Sequence, residues 1–180
     1  MSYFMNKFFL ASLNIASLAL AEPCEEEDLD YVWHEETKTC MSEFEFQCRT
    51  LKRTFKNSAK LETISTLLYI LDEYDCPVAA KALQKRTTLE IHNSQIRDLS
   101  ALKGLWKLKY LNLNGTSVND ESLMNLTTLP NLEGLALNST GVVNPDSIAY
   151  LVKTHPKLRK IWIRGIPIPS LKGVLEIRRR

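Results

Sequence analysis

Leu89-Glu90-Ile91-His92-Asn93-Ser94-Gln95-Ile96 is answered 22 residues later by Leu111-Asn112-Leu113-Asn114-Gly115-Thr116-Ser117-Val118. The phrase returns after 24 more residues as Leu135-Ala136-Leu137-Asn138-Ser139-Thr140-Gly141-Val142. After a further 26 it becomes Ile161-Trp162-Ile163-Arg164-Gly165-Ile166-Pro167-Ile168. Leucines ahead of each copy fall on a shared grid: Leu102, Leu105 and Leu108, then Leu126, Leu129 and Leu132, then Leu151 and Leu158. A period in the twenties signals an array of stacked units. Inside a copy the period is two, so Leu111 and Leu113 face one side while Tyr110, Asn112 and Asn114 face the other. One such strand cannot bury its leucines alone. Neighbouring copies must stack and share an interior.

Between strands the chain has to return. Asn119 or Asp120 is suited to cap a short helix around 121–126, with Pro130 just beyond. Asn144 before Pro145 does the same for a helix to about Lys153, the proline standing where its missing donor costs little. The first strand leaves an edge that needs cover. Leu61, Ile64, Leu67, Leu68 and Leu71 recur at helical spacing and predict an amphipathic helix against that edge. Further helices are expected through 44–56 and 78–85, and Pro77 after Cys76 suggests a helix stop.

The registered copies resemble the leucine-rich repeat family, with units of roughly 20–29 residues and L-x-x-L-x-L-x-x-N/C-x-L spacing. The run from Ile96 through Leu99 and Leu102 to Leu105 is similar to the bacterial repeats of the internalin type. The likeness covers about residues 86–171. It implies an α/β fold: a short leucine-rich repeat solenoid of about four parallel strands with a helical or irregular convex side. Ser94, Thr116, Thr140 and Ile166 stand where the family places an asparagine that satisfies turn backbone. Hydroxyls can do part of that work and Ile166 none, so the last turn is expected to be irregular and ended by Pro167 and Pro169.

The chain has 180 residues, 44% hydrophobic and 24% charged, which describes an ordinary globular protein. Lys7, the apolar run from Phe8 to Leu20 and Ala19-Leu20-Ala21 have the three parts of a secretory signal, cleaved after Ala21. The run is short of the roughly 20 residues that span a bilayer. The product is therefore expected to be secreted or periplasmic, without a stable membrane anchor. Export makes Cys24, Cys40, Cys48 and Cys76 a disulfide set with three possible pairings. Proximity favours Cys24–Cys40 with Cys48–Cys76, and no short paired spacing suggests a metal site. The reading divides the chain into a signal peptide (1–21), a helical disulfide-stapled N-terminal cap (22–84), repeats (85–171) and a basic tail (172–180).

Charge is uneven. Residues 22–48 hold ten acids and one base, and residues 49–180 hold 21 bases and 11 acids, so a head of −9 precedes a body of +10. The net charge of +2 carries no nucleic-acid signature. The acidic run Glu25–Asp30 lacks the spaced ligands of a calcium loop. His34, His92 and His155 are scattered, and no nucleophile is paired with a base by any recognisable motif. No catalysis, cofactor or metal is expected.

The outward positions of the strands are the informative surface. Tyrosine, tryptophan and arginine are enriched at binding hot spots, which selects Tyr110, Trp162 and Arg164 as anchors. Glu90, His92, Asn112, Asn114, Asn138 and Lys160 surround them as polar selectors. Asn114, Asn125 and Asn138 also begin Asn-x-Thr sequons, which the repeat itself demands at two of the three. Four short strands expose a face on the order of 300 Å², against about 800 Å² per partner in a standard interface. The expected function is binding of a protein or peptide partner, an extended segment for preference. Self-assembly through the caps or the charge-asymmetric halves is the alternative.

Overall fold

The computed structural model describes residues 32–34, 39–51, 58–164 and 176–178. The expected signal, Cys24, the acidic run and the turn at Ile166, Pro167 and Pro169 lie outside them. The described chain opens with an antiparallel pair, β1 (Val32–His34) and β2 (Thr39–Met41). Three helices follow: α1 (Glu43–Leu51), α2 (Ser58–Leu71) and α3 (Cys76–Gln84). Then come β3 (Thr88–Glu90), β4 (Tyr110–Asn112), α4 (Asp120–Leu123), β5 (Gly134–Ala136), α5 (Pro145–Thr154), β6 (Lys160–Trp162) and β7 (Glu176–Arg178). β3 to β7 form a parallel sheet in chain order, which makes this an α/β repeat fold.

The register is the one the leucines dictate. Leu89, Leu111, Leu135, Ile161 and Ile177 stand opposite one another across the sheet. Leu89, Leu111, Leu135 and Ile161 are buried, and so are Ile91, Leu113, Leu137 and Ile163 two residues on. The grid leucines Leu102, Leu105, Leu108, Leu126, Leu129, Leu132, Leu151 and Leu158 join the same cluster.

β3, β4 and β5 each run into a matching turn. Asn93, Gly115 and Ser139 adopt positive φ of 55°, 67° and 57°. Gly115 is constrained twice, because a Cβ there would lie 2.5 Å from the Asn93 Oδ1. The hydroxyls of Thr116 and Thr140 donate to the carbonyls of Leu113 and Leu137 at 2.7 and 2.8 Å. They satisfy turn backbone as expected, whereas the buried Ser94 Oγ has no partner.

The convex returns are tied by caps that run from one unit to the next. Asn119 caps α4 in a reciprocal box with Ser122, and the Ser122 hydroxyl donates to the Arg97 carbonyl in the preceding loop. The Asp120 carboxylate accepts the N–H groups of Val143 and Asn144 at 3.2 Å each, and Asn144 in turn caps α5. His155 is buried, with Nε2 2.6 Å from the Leu126 carbonyl and Nδ1 3.1 Å from the Thr154 hydroxyl.

The three N-terminal helices extend this interior. α1 buries Phe44, Cys48 and Leu51; α2 buries Ile64, Leu67 and Leu68, with Leu61 and Leu71 at its border. α1 and α2 meet the first repeat mainly at the 3-10 turn Ser100–Leu102 on its convex side, rather than along the edge of β3 where α2 was expected. The Thr63 hydroxyl donates to the Asp98 carbonyl at 2.6 Å, and Gln47 Nε2 donates to Ser100 Oγ at 2.8 Å. Cys48–Cys76 ties α1 to α3, the pairing that proximity favours. Cys40 is also disulfide-bonded.

Two further expectations need correction. Pro77 opens a helix where a stop was expected: Asp75 caps α3 by accepting the Val78 N–H, and the proline stands in the first turn, where no N–H is needed. The stretch read as a basic tail contains β7, which adds a fifth strand to the four read from the repeats. The backbone edge of β6 would otherwise be unpaired, and β7 covers it.

Candidate functional site

The side of the sheet opposite the leucines forms two registered rows. One reads Thr88, Tyr110, Gly134, Lys160 and the other Glu90, Asn112, Ala136, Trp162. A third line follows just past the strands with His92, Asn114, Asn138 and Arg164. The central strand β5 carries the smallest side chains, so the face sinks there. A Cβ placed on Gly134 would lie 2.6 Å from Tyr110 Cδ1 and 3.2 Å from Trp162 Cζ3. Both rings therefore lean in from the flanking strands over a floor that only glycine leaves low enough. The result is a hollow of about 460 Å³.

Six of the residues selected from sequence line it together: Glu90, Tyr110, Asn112, Asn114, Asn138 and Trp162. Thr88, Gly134 and Ala136 line it as well. His92, Lys160 and Arg164 are exposed and do not contribute to the wall. The outward direction of Gly134 and Ala136 was legible from the strand period. Their importance was not, because a glycine matters here only through rings that reach it from other strands.

One wall is polar and ordered by its own bonds. Asn112 Nδ2 donates to Glu90 Oε2 at 2.7 Å, and His92 Nδ1 lies 3.7 Å from the same oxygen. Asn112 Oδ1 accepts the Asn114 N–H at 3.1 Å, and Asn114 Oδ1 accepts the Asn138 N–H at 2.7 Å. The ladder stops at Asn138, whose Oδ1 is buried with no partner. The other wall is aromatic. The Tyr110 hydroxyl donates to Glu133 Oε2 at 3.3 Å, and Lys109 Nζ lies 3.1 Å from Glu133 Oε1. The hydrogen bond from Lys109 holds the Glu133 carboxyl below the usual carboxylate range, so this carboxylate stays a charged acceptor for the tyrosine into mildly acidic solution.

The histidines have structural surroundings. His34 is buried and stacks on Phe46 with ring centroids 4.0 Å apart. His155 is enclosed among backbone carbonyls, and His92 stands at the surface beside Glu90. Among the described residues no three His, Cys, Asp or Glu side chains gather in a way that could hold a metal ion. The face offers two ring faces, a carboxylate and a row of side-chain amides.

Replacing Gly134 with Ala is expected to displace the Tyr110 ring and to cost about 1–2 kcal/mol, a typical overpacking penalty. Urea unfolding of the variant measures this. An unchanged or raised stability would show that the rings are not held over the glycine.

No family model matches this chain, and no curated protein matches it. Among solved structures it is similar to an internalin C2 of Listeria monocytogenes, with 24% identity and a TM-score of 0.37 over 54% of this chain and 42% of that one. A second internalin of the same organism shows 13% identity and a TM-score of 0.37, over 63% of this chain and 45% of that one. The matches thus span less than half the length of either internalin.

Proposed function

We propose that this chain is an exported, non-catalytic leucine-rich repeat protein, a short solenoid that binds an extended peptide or protein segment on its concave face. The observation that carries the reading is the hollow walled by Tyr110 and Trp162 over Gly134. Its volume suits one or two side chains rather than a globular surface. Both rings are already positioned before any partner arrives: Trp162 is half-buried, and Tyr110 is fixed at its hydroxyl by Glu133. A partner's side chain entering between them orders little that is not ordered already, which raises affinity per unit of area. The asparagine ladder and Glu90 offer acceptors and donors along the polar wall for an extended backbone. Disulfide-bonded cysteines support an oxidising compartment, and hence export.

Trp162→Ala is the direct test. Peptides selected against the disulfide-intact chain should bind the variant at least about tenfold more weakly, the loss expected of a hot-spot aromatic. Arg164→Ala, at the exposed margin, should cost about threefold or less. Far-ultraviolet circular dichroism should be unchanged in both. Equal affinity for the Trp162 variant, with the fold retained, would remove the concave face from the account.

A further inference from the structure

We propose that the segment held on this face is acidic where it overhangs the N-terminal ends of the strands, because the fold lines up a row of lysines and an arginine along that rim. The inference rests on the concave-face reading above and adds the chemical class of the partner.

The row is built by main-chain stacking just ahead of each strand. The Lys109 N–H donates to the Thr87 carbonyl at 2.8 Å, the Glu133 N–H to Lys109 at 2.7 Å and the Arg159 N–H to Glu133 at 2.9 Å. These bonds put Lys109, Glu133 and Arg159 in one column. Two residues ahead of each position in that column stand Lys85, at the C-cap of α3, then Lys107, Asn131 and Lys157, with Lys157 Nζ bonded to the Asn131 side chain. Lys85, Lys107, Lys109, Lys157 and Arg159 are all exposed, as is Lys160 at the head of β6. The acid among them, Glu133, is engaged by Lys109 and by the Tyr110 hydroxyl.

A segment crossing the strands therefore meets a cluster of cations along the flank ahead of the strands, and Arg164 past their far ends. Bases two strands apart are spaced by about 10 Å, which is about three residues of extended chain. The fit is to a short run with two or three carboxylates and one apolar or aromatic residue turned into the hollow. The rings at Tyr110 and Trp162 bend inward over Gly134. That geometry receives a side chain, whereas a membrane-binding rim would project its aromatics outward.

The test pans random short peptides displayed on phage against the disulfide-intact chain. Recovered sequences are then made as fluorescein conjugates and titrated by anisotropy. Expected are net-acidic peptides whose affinity falls about tenfold or more between about 0.1 and 1 M salt, as the Debye length drops from about 10 to about 3 Å. The triple variant Lys85→Glu, Lys107→Glu, Arg159→Glu should weaken them about tenfold at the lower salt. Peptides that depend on Trp162 yet show no acidic excess and no salt dependence would overturn the acidic partner and leave the concave-face reading standing. Peptides that depend on neither the rim nor Trp162, or no recovered peptide at all, would overturn both. Capture of phosphatidylserine–phosphatidylcholine vesicles by the native chain but not by the triple variant, with no acidic excess among peptides, would assign the rim to a membrane and overturn the proposal.

Discussion

Leu135→Ala is expected to remove about 3–4 kcal/mol of folding free energy, a large share of what a domain of this size has. Leu135 is fully buried on the central strand, with Leu111 opposite it on β4 and Ile161 on β6. Each repeat has one such residue, and each side chain is packed mainly by its counterparts in the units before and after. A void at Leu135 therefore cannot be filled by collapse of a single loop, because the backbone ladders on both sides hold the strands apart. The same reasoning predicts a smaller loss for Ile161→Val, about 1 kcal/mol, since only one methyl is deleted. Urea denaturation followed by circular dichroism measures both. A loss below about 1 kcal/mol for Leu135→Ala would falsify the shared interior on which the fold and the site rest.

The paired substitution Cys48→Ser with Cys76→Ser carries the second large effect. The bridge closes a loop with a sequence separation of 28, for which loop-closure entropy gives about 3–4 kcal/mol. Both cysteines are buried, one on α1 and one on α3, in the core that the helices share with the first repeat. Loss of the bridge should loosen those helices first and uncover the leucines of the first unit. The unfolding midpoint should therefore drop in the double variant, and a reducing agent, which also opens the bridge at Cys40, should lower that of the native chain by at least as much. If reduction leaves the midpoint where it was, the helices are held by packing alone and the bridge is dispensable.

Much of this architecture is visible in residue order because its determinants are local or strictly repeated. Inward leucines need only a period of two, and the caps at Asn119 and Asn144 need only their immediate neighbours. Asn119 and Asn144 begin their helices as the sequence led one to expect. Pro77 was misleading for an equally local reason: a proline is compatible with both the end of one helix and the first turn of the next, and what decides is whether a capping residue such as Asp75 precedes it. β7 escaped for a different reason. Ile177 lies 177 − 161 = 16 residues after Ile161, far from the 22, 24 and 26 of the other steps, so no rhyme announces it.

By itself the sequence determined the repeated strand and turn, the residues that turn inward, the helices that cover the first unit, and the set of polar and aromatic side chains facing the other way. The tertiary structure decided what that outward set amounts to. Tyr110, Gly134 and Trp162 lie 24 and 28 residues apart in the chain and become a hollow only when neighbouring strands bring two rings over one glycine. Lys109, Glu133 and Arg159 are scattered charges until hydrogen bonds between successive units set them in a column. Periodicity fixes a residue's direction, but the space and field around it come from strands distant in sequence, and those are set only when the ladder closes.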